Sequence, residues 1–291
     1  MRFEWFARLL RPVTRLYDVL DHTWARLMHG RALGLSLSLV FLAAIVLVEL
    51  NRRGLLPAAL GSRIELRHFA AVEAAFWLLL VFEVLALVFT LPQSVSNSVG
   101  RQFELVSLIM LREAFLEFAR LGEPIDIAAH GYHALLVVLL DLLAALLLFV
   151  LVGFYYRVQH HQPITPDEHE QASFIAAKKV VALCLLAAFV LLAALQAGHS
   201  YRSGPTADFF SDFFTILIFS DVLVVLISLA FTSGYHVVFR NSGFAAAAVL
   251  IRLALPAPEL VRPALAVAAA VFALALTVAY NSFAPAIRAR T

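Results

Sequence analysis

Apolar runs of about 18–24 residues recur along the whole chain, divided by short polar stretches, and that period predicts membrane-spanning helices. The runs cover residues 33–50, 68–91, 134–156, 173–196, 209–232 and 259–280. At 1.5 Å rise per residue, each is long enough for a hydrocarbon layer of roughly 30 Å. Pro92 ends the second run, and Pro256 and Pro258 precede the last. Two further stretches fit the pattern less well. Ser98–Arg120 has the length to cross but carries Glu104, Arg112, Glu113 and Glu117. Residues 243–255 are apolar apart from Arg252 but rise only ~20 Å as a helix, so a re-entrant segment is the alternative there.

The first 29 residues have a different period. On a helical wheel Phe6, Leu9, Leu10, Val13, Leu16, Tyr17, Leu20, Trp24 and Leu27 share one face, and Arg8, Arg11, Arg15, Arg26 and His29 share the other. Aromatic and aliphatic groups opposite arginines predict a helix lying in the membrane interface, with Pro12 kinking or dividing it. The organisation that follows is an amphipathic interfacial helix over 1–29 and one polytopic transmembrane helical domain over 30–291.

Composition narrows the class. The chain is 62% hydrophobic and 14% charged, against about 45–50% apolar and about 25% charged in soluble domains. The expected fold is an all-α integral membrane protein, a bundle of about eight or alternatively six transmembrane helices. A net charge of +2 is too small to argue for nucleic acid, so the basic residues bear on orientation and lipid headgroups. Cys184 is the single cysteine, which excludes an intramolecular disulfide and cysteine-built zinc or iron–sulfur sites; within an apolar run it reads as a small core residue. Twenty arginines against two lysines, with abundant Ala and Leu, suggest a bacterial chain and hence the cell inner membrane.

The positive-inside rule separates the two helix counts. With six helices, the inner side carries 12 of the 22 Lys and Arg residues and the outer side 10. With eight, adding about 102–120 and 243–255, the inner side carries 13 and the outer 7, and Arg112 and Arg252 lie within the membrane. Eight is favoured, with both termini cytoplasmic. The loop holding Arg52, Arg53, Arg63 and Arg67 stays outside on either count.

Eight helices place Glu83, Asp141 and Asp221 roughly 12–20 Å below the outer surface, with Arg112 at a similar depth. Each would cost at least about 2.5–3.5 kcal/mol facing lipid, so they predict a polar interior. The expected transport path is therefore Glu83, Arg112, Asp141 and Asp221, with Arg112 as counter-charge. An ion-pair knot that merely holds the helices together is the plain alternative. His130, His133 and His199 fall on one side of the membrane and, with Asp126, Asp208 and Asp212, form a weak candidate metal or proton-relay site. Histidines that simply meet interfacial water are the commoner case. His160, His161, Asp167, Glu168, His169 and Glu170 crowd one inner loop, but Thr165, Pro166, Asp167 and Glu168 read as a helix cap and first turn. The polar run Tyr235–Ser242 reads as an inner loop, with Ser242 placed to cap the short helix after it.

Other functions lose ground on specific residues. Bis-histidine haem needs histidines inside facing helices, and here they stand at helix ends or in loops. A voltage sensor needs arginine at every third position of one helix, which Arg101, Arg112 and Arg120 do not give. No GxSxG, HExxH or P-loop occurs, so an enzyme is not expected and no cofactor is implied. The reading is a transporter or channel moving protons or a small cation. A non-catalytic accessory or scaffold subunit is the alternative. The expected partners are the lipid bilayer, the transported ion, and a second copy or another membrane protein. On a Cys184→Ser background, a cysteine probe at Gln162 is expected to label from the N-terminal side and one at Asp126 from the opposite side. The reverse assignment identifies six crossings.

Overall fold

Hydrocarbon offers no partner for a backbone amide, so a chain this apolar has to satisfy its N–H and C=O groups within each segment. The computed structural model describes residues 10–28, 31–57, 61, 66–92, 95–120, 127–159, 168–203, 209–231 and 234–288. Among these the ordered elements are α-helices without a strand: α1 (Arg11–Met28), α2 (Arg31–Arg52), α3 (Phe69–Thr90), α4 (Val95–Arg120), α5 (Ile127–Val158), α6 (Glu168–Ser203), α7 (Phe209–Phe231), α8 (Tyr235–Ala254) and α9 (Arg262–Arg288). Six of them, α2, α3, α5, α6, α8 and α9, contain stretches long and apolar enough to cross a membrane. α7 has a shorter apolar stretch, Thr215–Phe231, and the charged α4 is not among the six. The chain is thus all-helical, with the spans of a multi-pass membrane protein.

Pro12 stands in the first turn of α1, where its missing N–H goes unnoticed, and the helix runs from there to Met28. Residues 1–9, with Phe6, Arg8 and Leu9, and His29 lie outside the described residues. The polar run Tyr235–Ser242 is not a loop but the first half of α8, so 243–255 is no short re-entrant piece and Ser242 caps nothing. The polar side chains of that half have protein to face. The Arg240 guanidinium lies 4.8 Å from the Tyr280 ring of α9, and Asn241 is buried.

α4 is the helix around which the others gather, packing on α3, α5, α8 and α9. Val99, Phe103, Val106, Met110 and Ala114 recur at helical spacing and are all buried, whereas Leu108 points outward. Side-chain bonds fix which helix ends meet. Tyr155 Oη near the end of α5 donates to the Ser96 carbonyl at the start of α4 (2.8 Å), and Asn281 Nδ2 near the end of α9 donates to the Val158 carbonyl (2.7 Å). The rings of Phe189 and Phe213 meet edge to face at 4.9 Å between α6 and α7, and Phe174 meets Phe231 at the other end of the same pair. α6 and α7 therefore run antiparallel.

α1 docks against α6 and α2 and reaches α3 through two aromatic side chains. Tyr17 Oη donates to the Phe89 carbonyl (2.7 Å), Trp24 stacks on Phe89 at 5.3 Å, and Lys179 Nζ meets Asp18 Oδ1 at 2.6 Å. Burial, with Asp21 and Asp18 nearby, pushes the Tyr17 hydroxyl above its ordinary range, so it stays a donor throughout the physiological pH range. Leu16, Val19 and Leu27 of the same helix remain exposed. The central position of α4 makes a paired prediction. Phe103→Ala is expected to cost about 3–5 kcal/mol, and Leu108→Ala, on the outward face, less than about 0.5 kcal/mol. Unfolding in detergent followed by circular dichroism measures both.

Candidate functional site

Residues 112 and 113 set an arginine and a glutamate side by side on the buried helix. Arg112 Nη2 donates to Glu113 Oε1 at 2.9 Å. The other oxygen of the same carboxylate, Oε2, accepts from Nη1 of Arg262 in the first turn of α9 at 3.0 Å. One carboxylate thus bridges two guanidinium groups, a strong charge-assisted arrangement in a low-dielectric setting.

Two further acids flank this bridge. Glu83 of α3 is buried, both its oxygens lack a hydrogen-bond partner among the described residues, and Arg112 is the charge acting on it. Asp141 of α5 is fully buried with both oxygens equally unpartnered; Arg262 is the foremost charge acting on it, followed by Glu113, Glu117 and Glu259. Nε of Arg112 and Nε of Arg262 are also buried and unpartnered among the described residues. The order is Glu83, Arg112, Glu113, Arg262, Asp141: a chain of alternating sign drawn from α3, α4, α9 and α5. Each arginine bonds to Glu113, keeps a buried Nε without a partner among the described residues, and acts through its charge on one of the two unpartnered carboxylates.

The chain meets the surface. A cavity of about 430 Å³ is lined by Arg67, Glu73, Trp77, Arg112 and Glu113, among others. Arg67 and Glu73, exposed at its rim, face each other at 3.9 Å. The cavity therefore offers water a way to Glu113 from the end of the bundle where α3 begins.

Asp221 belongs to a second locus. Its carboxylate forms a buried ion pair with Arg252, joining α7 to α8. Of the four path residues expected from depth, the structure brings Glu83, Arg112 and Asp141 into one network and gives Asp221 a different counter-charge. Glu113 and Arg262, which complete the network, had been assigned no role. The available signal was Glu113's position next to Arg112, but nothing in the sequence marked Arg262 as its second partner.

Of the three candidate histidines, only His133 has a described side chain. His133 is exposed on α5. His130 lies in the first turn of α5 and His199 near the end of α6, and their side chains fall outside the described residues, as do Asp126, Asp208, His160, His161 and Asp167. Among the described residues no group of three or more His, Cys, Asp or Glu side chains could hold a metal. Cys184 faces outward from α6 rather than into the core. On a helix bordering lipid, a small apolar residue is as well placed outside as inside.

No protein-family model matches this sequence, and no curated protein or solved structure matches it. The site is therefore read from its own chemistry. The Asp221–Arg252 pair gives a direct test of how far that chemistry holds the bundle together. Asp221→Asn strands a buried guanidinium and is expected to destabilise the protein by about 3–5 kcal/mol, while the double variant Asp221→Leu with Arg252→Met recovers most of the loss. Thermal unfolding of the single and double variants measures it.

Proposed function

We propose that this chain is a membrane transport protein that moves protons, or a small cation, through the polar interior around α4. The reading takes α2–α9 as eight crossing helices, with both termini cytoplasmic, in a bacterial inner membrane. The single observation that carries it is the alternating chain Glu83–Arg112–Glu113–Arg262–Asp141, reached from one end by a charged cavity. An ion-pair knot built only for stability would leave no carboxylate unpaired. Here two of them are, in a setting where a lone charge is expensive.

The chemistry favours protons. Three carboxylates against two arginines leave one negative charge over, and one proton neutralises it. The arginines keep their protons, so they act as counter-charges and the acids as carriers. A proton reaching Glu113 from the cavity weakens its hold on Arg112 and Arg262, and each has a further carboxylate within its field. As Arg112 or Arg262 turns to Glu83 or Asp141, the proton already held by that acid leaves, so one proton enters at Glu113 and one departs.

The accessory-subunit reading has less support. The aromatic face of α1 that would greet a partner is already spent on α3, through Tyr17 and Trp24.

Proteoliposomes loaded with a pH-sensitive dye test the proposal. Glu83→Gln and Asp141→Asn are each expected to reduce proton flux at least about tenfold, as loss of a proton carrier should, while the protein still inserts and purifies. Flux unchanged in both variants would sink the idea.

A further inference from the structure

A second, smaller space, mostly apolar in its lining but with several buried polar groups facing it, lies away from the charge chain, between α4, α7 and α8. It measures about 30 Å³ and is lined by Ser98, Gln102, Asp221, Ser228, Asn241 and Phe244, among others. Two of these side chains are more than nine-tenths buried and have polar atoms with no partner among the described residues. They are Gln102 Oε1, on a residue 5% exposed, and Asn241 Nδ2, on a residue 1% exposed.

The polarity of each group is fixed by its neighbours. Asn241 Oδ1 lies 3.4 Å from the Arg240 guanidinium, which can only donate, so the amide nitrogen is the donor toward the cavity. Ser228 Oγ gives its proton to the Val225 carbonyl at 2.7 Å and keeps its lone pairs as acceptors. Gln102 Oε1 and the Asp221 carboxylate are acceptors as well. The Asn241 N–H thus faces several acceptors across a space about twice what a single water needs.

The geometry points to a binding site for one tightly held water molecule, which accepts from Asn241 Nδ2 and donates to Gln102 Oε1 and to the Asp221 carboxylate. A metal cation would meet the Asn241 N–H and the neighbouring Arg252, and an anion would meet Asp221. An apolar group would leave Gln102 and Asn241 without partners. Water, neutral and both donor and acceptor, satisfies all three. Leu91, just before the turn joining α3 to α4, lines the same space, so the water stands on the side of Asp221 toward that end of the bundle. Its role as the far limb of a proton path, opposite the cavity at Arg67 and Glu73, rests on the transport reading. The binding of water itself does not.

Radiolytic hydroxyl labelling of the full chain in lipid nanodiscs, in oxygen-18 water, reads the site directly, because ionised bound water labels the side chain beside it. Phe244 lines the cavity and is 2% exposed; Phe213 is 0% exposed and does not line it. Phe244 is expected to take up label severalfold faster than Phe213, and Gln102→Leu to abolish the difference. Equal labelling of the two phenylalanines in the unaltered protein overturns the site, as does full Phe244 labelling in a folded Gln102→Leu variant. The unaltered protein suffices if that variant does not fold. The label needs no flux, so a chain that carries no protons can still hold the water, and a conducting chain can lack it.

Discussion

A charge removed from water must find an opposite charge, and this constraint shapes the middle of the molecule. α4 carries Arg112 into the packed interior, where it could not stand alone at tolerable cost, and sets Glu113 partly buried beside the cavity. Glu113 answers Arg112 on its own helix but has a second oxygen to satisfy, and Arg262 comes from α9 to meet it. That bond fixes where α9 begins relative to α4. Glu83 and Asp141 then stand in the fields of the two arginines without bonding to them. The bond that ties α4 to α9 thus lies among the groups proposed to carry protons.

Apolar packing and polar pairing divide the length of α4 between them. Phe103, Val106 and Met110 fill its middle with buried contacts, while Gln102 on one side and Arg112 on the other mark two polar loci. The Asp221–Arg252 pair sits with the first, and the alternating chain with the second. Among the described residues, two hydrophilic regions are therefore separated by packed apolar side chains. α1 braces the side of this assembly through Tyr17, Trp24 and Lys179.

The long apolar runs were legible in the sequence because their signal is local: some twenty consecutive side chains all have to tolerate hydrocarbon. α3 over 69–90 and α9 from 262 lie close to where the runs place them. α8 was harder, because Tyr235–Ser242 is too polar for that test. It is helical because Arg240 lies over Tyr280 and Asn241 is buried among its neighbours, contacts that no window of local hydropathy contains. Depth counted in residues brought Glu83, Arg112 and Asp141 to one level, and the structure joins them in one network. The same count grouped Asp221 with them, because depth says how far down a side chain lies and nothing of the direction in which its helix faces.

The sequence by itself determined the class of molecule and the residues that would be expensive in it: a helical membrane protein with Glu83, Arg112, Asp141 and Asp221 inside. These follow from composition and helical rise, quantities each segment carries alone. Only the tertiary structure decided the partners, Glu113 between Arg112 and Arg262, and Arg252 for Asp221. Pairing depends on how each helix is rotated and which helix lies beside it. Those choices are made by side-chain packing between segments distant along the chain, 149 residues in the case of Glu113 and Arg262.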